Sequence, residues 1–140
     1  GIVHDERYFH DEVEPHIDDE HVRYLGPVTA SERSTVLGNA HALLHLIDFD
    51  EPFGYSVVEA MACGTPVIAN TRGSMTELIE DRVTGYLVTS PDEAVEAVDR
   101  DADLDRDAIR AVTATRFDIT TMIDKYIAAY RTILDPHDTN

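Results

Sequence analysis

Across 140 residues the sequence sets 28 acidic side chains against 11 basic ones, a formal charge of −17, with 43% hydrophobic residues. One core can form at this length without staples, the single cysteine (Cys63) excludes an internal disulfide and fits a reducing cytoplasm, and no apolar run reaches the ~18 residues of a membrane helix. So negative a chain argues against nucleic acid or an anionic bilayer as partner, and its self-repulsion, relieved by salt, predicts a halophilic protein in a saline cytoplasm.

The chain opens Gly1-Ile2-Val3 with no Met and no signal-peptide pattern. These residues read as the tail of a strand, and residues 1–140 as a single domain of a longer protein. Residues 5–16 read as a mostly solvated helix, 22–25 as a short strand closed by Gly26-Pro27, 31–40 as a helix and 41–47 as a buried strand. A loop over 48–54 leads into a helix over 55–63, where Gly64 is placed to cap and Pro66 prevents continuation. A strand follows over 66–69. Ser74 and Glu77 have capping-box spacing, so a helix is predicted to start there. A turn at Gly85 precedes a strand over 84–88, and helices follow at 91–99 and 105–116. The last helix, 119–134, repeats Ile119, Met122, Ile123, Tyr126, Ile127, Tyr130, Ile133 and Leu134 at helical spacing, which predicts a continuous buried stripe. Short strands alternating with helices give an α/β fold: a Rossmann-like doubly wound parallel sheet with helices on both faces, its first strand expected upstream of residue 1.

The stretch from Asp50 to Pro66 carries the chemistry. It lies where a strand's carboxyl end passes into a helix, the place where open α/β sheets bind ligands. The helix after Gly54 is apolar nearly all round, with Glu59 as its single charge, one turn from both Ser56 and Cys63. A structural ion pair or a cap would explain Glu59. So would binding, because one carboxylate can accept both hydroxyls of a ribose cis-diol. The first-turn amides near Gly54, Tyr55 and Ser56, with the positive helix end, favour a diphosphate or a sugar oxygen. Gly54 lets backbone approach a ligand closely, and Glu51 in the preceding loop would lie near the transferred sugar.

Glu51 and Glu59 stand in a Glu-x7-Glu spacing, inside EPFGYSVVEAMACGTPVIA and followed by TRGSMTELIEDRVTGYLV. This run resembles the donor-site core of GT-B glycosyltransferases of family 4, the glycosyl transferases group 1. VRYLGPV upstream and the helix ending YRTIL are similar too, so the resemblance covers about residues 20–134. It implies the carboxyl-terminal, nucleotide-sugar-binding half of a retaining glycosyltransferase. Glu59 would bind the donor ribose. Glu51 would be the catalytic carboxylate, bonding sugar hydroxyls and stabilising an oxocarbenium-like transition state. Backbone of Phe53, Gly54, Tyr55 and Ser56 would contact sugar and phosphate, and Pro27 and Val28 the base. The resemblance implies no bound metal and no cofactor beyond the nucleoside-diphosphate sugar. The diphosphate would be stabilised by basic side chains and a helix terminus.

Two departures stand out. The family's diphosphate-gripping Arg and Lys have no match, being expected before residue 1. Arg72-Gly73 replaces a frequent Gly pair, so Arg72 is an extra cation beside the site, read as a phosphate or acceptor contact or as a surface residue. The acceptor (a sugar, lipid or protein) would be held mainly by an absent amino-terminal domain, to which the last helix often crosses back in this family. Peripheral membrane association of the longer enzyme is compatible with that scheme.

Other features carry less. His41 and His45 lack zinc-site company, Cys63 has no placed base, and the acidic runs lack calcium-loop spacing. The alternatives are a non-catalytic nucleotide-binding or interaction module, or a GT-B epimerase; a phosphorylase would need a pyridoxal phosphate lysine, and Lys125 on the last helix does not suit.

Overall fold

The computed structural model describes residues 3–134, in two compact units, one ending at Thr35 and one beginning at Val36. The reading of Gly1 and Ile2 as a strand end lies outside the described residues.

In the first unit the stretch expected as one helix is helical but changes pitch. Helix α1 (Glu6–Tyr8) starts where the Asp5 carboxylate accepts the Tyr8 amide at 2.9 Å. A wide π turn over Phe9–Val13 and a tight 3-10 turn over Glu14–His16 follow. Pro15 explains the change, because it brings no N–H to continue an α-helical ladder. Residues 22–25 form no strand among the described residues. The Val22 carbonyl is instead taken by the amides of Asp18 and Asp19 at 3.2 and 3.1 Å, with Asp19 left-handed at φ 58°. The Asp18 carboxylate closes this turn by accepting the Val22, His21 and Glu20 amides, which lower its pKa to about 2. Local capture of the backbone by an aspartate has displaced the extended ladder.

Helix α2 (Ala30–Asn39) runs across the boundary of the units. It opens on half of a capping box that the pattern did not single out: Glu32 accepts the Thr29 amide at 3.0 Å and its hydroxyl at 2.5 Å.

The second unit is a three-stranded parallel sheet, β1 (Leu43–His45), β2 (Val67–Asn70) and β3 (Gly85–Val88), in that spatial order. Leu43 is in register with Val67, and Ile68 with Tyr86. Parallel neighbours need crossovers, supplied here by α3 (Tyr55–Ala62) and α4 (Met75–Leu78). Strand side chains alternate between faces. Val67 and Ala69 pack with Val57, Ala60 and Met61 of α3, with Met75, Leu78 and Ile79, and with Ile109 of α6 (Arg106–Phe117). Ile68, Tyr86 and Val88 pack instead against Ala94 and Ala97 of α5 (Pro91–Arg100). Helices therefore cover both faces, as expected of the doubly wound class.

Chain punctuation follows the glycines in part. Gly64, at φ 75°, ends α3 with its amide on Met61 O and the Thr65 amide on Ala60 O. Gly85 is not the turn. The turn carries Arg82 at φ 63°, and Gly85 lies within β3, where a Cβ would stand 2.0 Å from Val67 O.

Arginines of α6 finish the packing. Arg106 donates to Ala40 O, Gly38 O and Thr65 Oγ1 at 2.8–2.9 Å; Arg110 donates to Cys63 O at 3.0 Å; Arg116 donates to Leu78 O and Glu77 O. Carbonyls at the ends of α2, α3 and α4, which have no partner within their own helices, find one here.

Helix α7 (Ile119–Leu134) has the expected bounds, but its apolar stripe is not buried. Ile119, Tyr126, Tyr130, Ile133 and Leu134 are each more than half exposed, and no residue of the helix is buried. The periodicity sets out a face; no element among the described residues covers it.

Candidate functional site

The carboxyl ends of the three strands point to one edge of the sheet. The loops leaving β1 and β2 meet there, and Asp48, Asn70, Thr71, Arg72, Val88 and Thr89 line a depression of about 250 Å³. Asn70 is tied to the β1 loop by donating from Nδ2 to Ile47 O at 2.9 Å.

The β1 loop delivers Glu51 and turns into α3 at Gly54, which is buried and left-handed at φ 89°, ψ 61°. A Cβ at Gly54 would stand 2.8 Å from Met75 Cε, the movable end of a flexible side chain, so the left-handed dihedral is the main demand for glycine here. Glu51 is half-buried, and its Oε1 accepts the amides of Gly54 at 3.2 Å and Phe53 at 3.4 Å. The carboxylate thus sits against two of the amides expected to face a ligand. Those N–H groups are directed at an anionic oxygen, and in this state the oxygen is Glu51's own.

Helix α3 presents a mixed face. Val57, Ala60 and Met61 are buried, Glu59 is half-buried, and Tyr55 and Ser56 are exposed. Helix geometry leaves the first-turn amides of Tyr55 and Ser56 without intrahelical acceptors. The Phe53 and Tyr55 rings pair at 4.8 Å, tilted by 56°, with Tyr55 76% exposed beside those amides.

The β2 loop packs onto the β1 loop. Gly73, at φ 53°, is so close that a Cβ would stand 2.7 Å from both N and O of Glu51. The Ser74 amide donates to Glu51 O at 3.0 Å, and its hydroxyl donates to Phe53 O at 2.8 Å. Helix α4 does begin after Ser74, but the expected capping box does not form: Ser74 makes no side-chain cap, and Glu77 is exposed. The hydroxyl holds the donor loop instead.

Arg72 donates from Nε to Asp50 Oδ1 at 3.0 Å and from Nη1 to Asp48 Oδ1 at 2.5 Å. The hydrogen bond to Asp50, then that to Asp48, raises its pKa above the ordinary arginine value. The structure therefore brings Glu51, Phe53, Gly54, Tyr55, Ser56, Arg72 and Gly73 onto one edge of the second unit, while Glu59 lies a turn further along α3. Pro27 and Val28 belong to the first unit, in the segment before α2. Ser74 reads from sequence as a helix cap rather than a loop contact, and Asp48 and Asp50 carry no assigned role there, although the acidic Asp48-Phe49-Asp50-Glu51 run is a signal for a basic partner such as Arg72.

Comparison with known proteins gives the chain's family. The family model for glycosyl transferases group 1 matches residues 1–113. The chain is 30% identical over 121 residues to a phosphatidyl-myo-inositol mannosyltransferase of Mycobacterium leprae, covering 81% of this chain and 32% of that protein. It is 39% identical over 74 residues to a D-inositol 3-phosphate glycosyltransferase of Salinispora arenicola, covering 53% of this chain and 16% of that protein. Among solved structures, AviGT4, a glycosyltransferase involved in avilamycin A biosynthesis, superposes with a TM-score of 0.75 at 26% identity, over 93% of this chain and 40% of that one. HepE of Anabaena in complex with UDP-glucose superposes with a TM-score of 0.68 at 27% identity, over 81% of this chain and 33% of that one. The chain thus spans about a third or less of the curated relatives named here. With the family model matching most of its length and the sheet-edge loops arranged as described, this chain belongs to the glycosyl transferases group 1 family.

Proposed function

We propose that this chain is the donor-binding part of a retaining hexosyltransferase that takes a sugar from a nucleoside diphosphate. The observation that carries the reading is the Gly54 turn: it sets the amides leading into α3 at the sheet's carboxyl edge, with Glu51 already on those of Phe53 and Gly54. In this reading a sugar or phosphate oxygen takes the place of the Glu51 carboxylate on the amides of Phe53, Gly54, Tyr55 and Ser56. Glu51, released, accepts hydroxyls of the transferred sugar and offsets positive charge developing at its anomeric carbon. Glu59 accepts the ribose diol. Gly73 keeps the β2 loop close to Glu51. The helix terminus, and basic groups outside this chain, stabilise the leaving diphosphate without a metal. HepE, which binds UDP-glucose, supports a nucleotide-sugar donor. The low cysteine usage supports a cytoplasmic setting, and the acceptor is assigned to the part of the protein outside this chain. Among the described residues no helix is long and apolar enough to cross a membrane.

The test uses the full-length protein with Glu51→Gln and Glu59→Gln. Glu59→Gln is expected to weaken the ribonucleoside diphosphate while leaving its 2′,3′-dideoxy analogue unchanged. Glu51→Gln is expected to lower kcat about a hundredfold with little change in nucleotide affinity. Equal affinity of the Glu59 variant and wild type for the ribonucleotide removes the ribose assignment. This chain by itself is expected to bind the diphosphate weakly and to turn over no donor.

A further inference from the structure

We propose that Arg72 is a positioning residue for Glu51, acting through Asp48 and Asp50 rather than on the ligand; this rests on the donor reading above. The β1 loop leaves the sheet after His45 and carries Glu51 across an exposed stretch, with Phe49 56% exposed. Its far half is fastened by backbone and hydroxyl contacts: Gly73 lies against Glu51, and Ser74 bonds Glu51 O and Phe53 O. Its near half, Asp48 to Asp50, is fastened by the Arg72 guanidinium, one nitrogen to each carboxylate. Arg72, Gly73 and Ser74 are consecutive, so one short segment of the β2 loop grips both sides of Glu51.

The chemistry favours a clamp over an anion grip. Two aspartates and one arginine sum to a charge of −1, which repels a diphosphate and leaves Arg72 little attraction for one. A planar guanidinium can serve two separate carboxylates through fixed nitrogens, which a lysine ammonium cannot reproduce. Both ion pairs are exposed, and exposed pairs contribute little to global stability. Their effect is therefore local, on where Glu51 stands.

The experiment compares the full-length wild type with Arg72→Gln, Arg72→Lys, the Asp48→Asn/Asp50→Asn pair and the triple variant. Affinities for UDP, GDP and ADP are measured by calorimetry. Turnover is followed as release of the diphosphate that binds from its glucose and mannose donors. Arg72→Gln and the paired asparagine variant are each expected to lower kcat roughly tenfold, because small misplacement of a reacting group is costly. The triple variant should lose no more than either, as members of one unit do not add. Lysine should restore little, and diphosphate affinity and melting temperature should stay within about twofold and 2 °C of wild type. Full kcat in the asparagine pair, multiplied losses in the triple, or a loss confined to diphosphate affinity in Arg72→Gln overturns the positioning role alone. A wild type that binds none of the three diphosphates, or undiminished turnover in Glu51→Gln, overturns the donor reading and the positioning role with it.

Discussion

At Gly54 and Gly85 the same residue type answers two different demands. Gly54 is left-handed, and its nearest neighbour is the end of a flexible Met75 side chain. Gly54→Ala is therefore governed by the dihedral, and a denaturant titration should show a loss of about 1–2 kcal/mol with folding intact. Gly85 has no unusual φ, but a Cβ would meet backbone O, C and N of Val67 at 2.0–2.9 Å. Backbone in a parallel ladder cannot move aside without breaking the ladder, so Gly85→Ala should abolish the cooperative transition; a Gly85→Ala protein that melts like Gly54→Ala would contradict the packing. From sequence, Gly85 reads as a turn, because proximity between strands separated by a crossover leaves no local trace. Ser74 is a similar case. Its spacing from Glu77 is that of a cap, yet its hydroxyl bonds Phe53 O, 21 residues away. The turn from the Glu51 loop into α3 at Gly54 is legible because it rests on a local loop-to-helix pattern. The Arg72 clamp is not, because its partners lie 22 and 24 residues off.

Among the elements, the helix starts show how spacing and partner can part company. Half of a capping box forms at each of two helix starts: Glu32 accepts the Thr29 amide at 3.0 Å, and the Glu93 amide donates to Ser90 Oγ at 3.2 Å while the Glu93 carboxylate takes the Thr89 amide at 2.6 Å. These hydrogen bonds, that from the Thr89 amide first, hold the Glu93 carboxyl below its ordinary range. Helix α7 makes the same point with burial. Its bounds follow from an unbroken 3.6-residue apolar period, and nothing in a period says what will cover the stripe. Protection against exchange follows contacts and burial, not helicity as such. Amides of α3 and β2, in the buried core, should therefore outlast those of α7 by at least about a hundredfold in this chain. Equal protection of α7 would mean that its stripe is covered, contrary to the exposure of Tyr126, Tyr130 and Ile133.

For the whole molecule the governing quantity is charge. With 28 carboxylates, 11 basic side chains and a single lysine among them, the folded state gathers like charges that the unfolded chain can spread apart. Several carboxylates are held by local hydrogen bonds, as at Asp18, Glu32, Glu93 and Asp118, and these stay ionised well into acid. Protonation near neutral pH therefore cannot relieve the repulsion, and screening must. The ion pairs of Arg72 work in the opposite sense, since salt weakens them too, but exposed pairs contribute at most about 1 kcal/mol each. Repulsion summed over a net −17 should outweigh them. Raising KCl from about 0.1 M to about 2 M shortens the screening length from roughly 10 Å to below 3 Å, so the thermal midpoint should rise by several degrees. Equal midpoints at the two concentrations would show that acidic side chains are spaced widely enough for water alone to separate them, and the expectation of a saline cytoplasm would lose its physical basis.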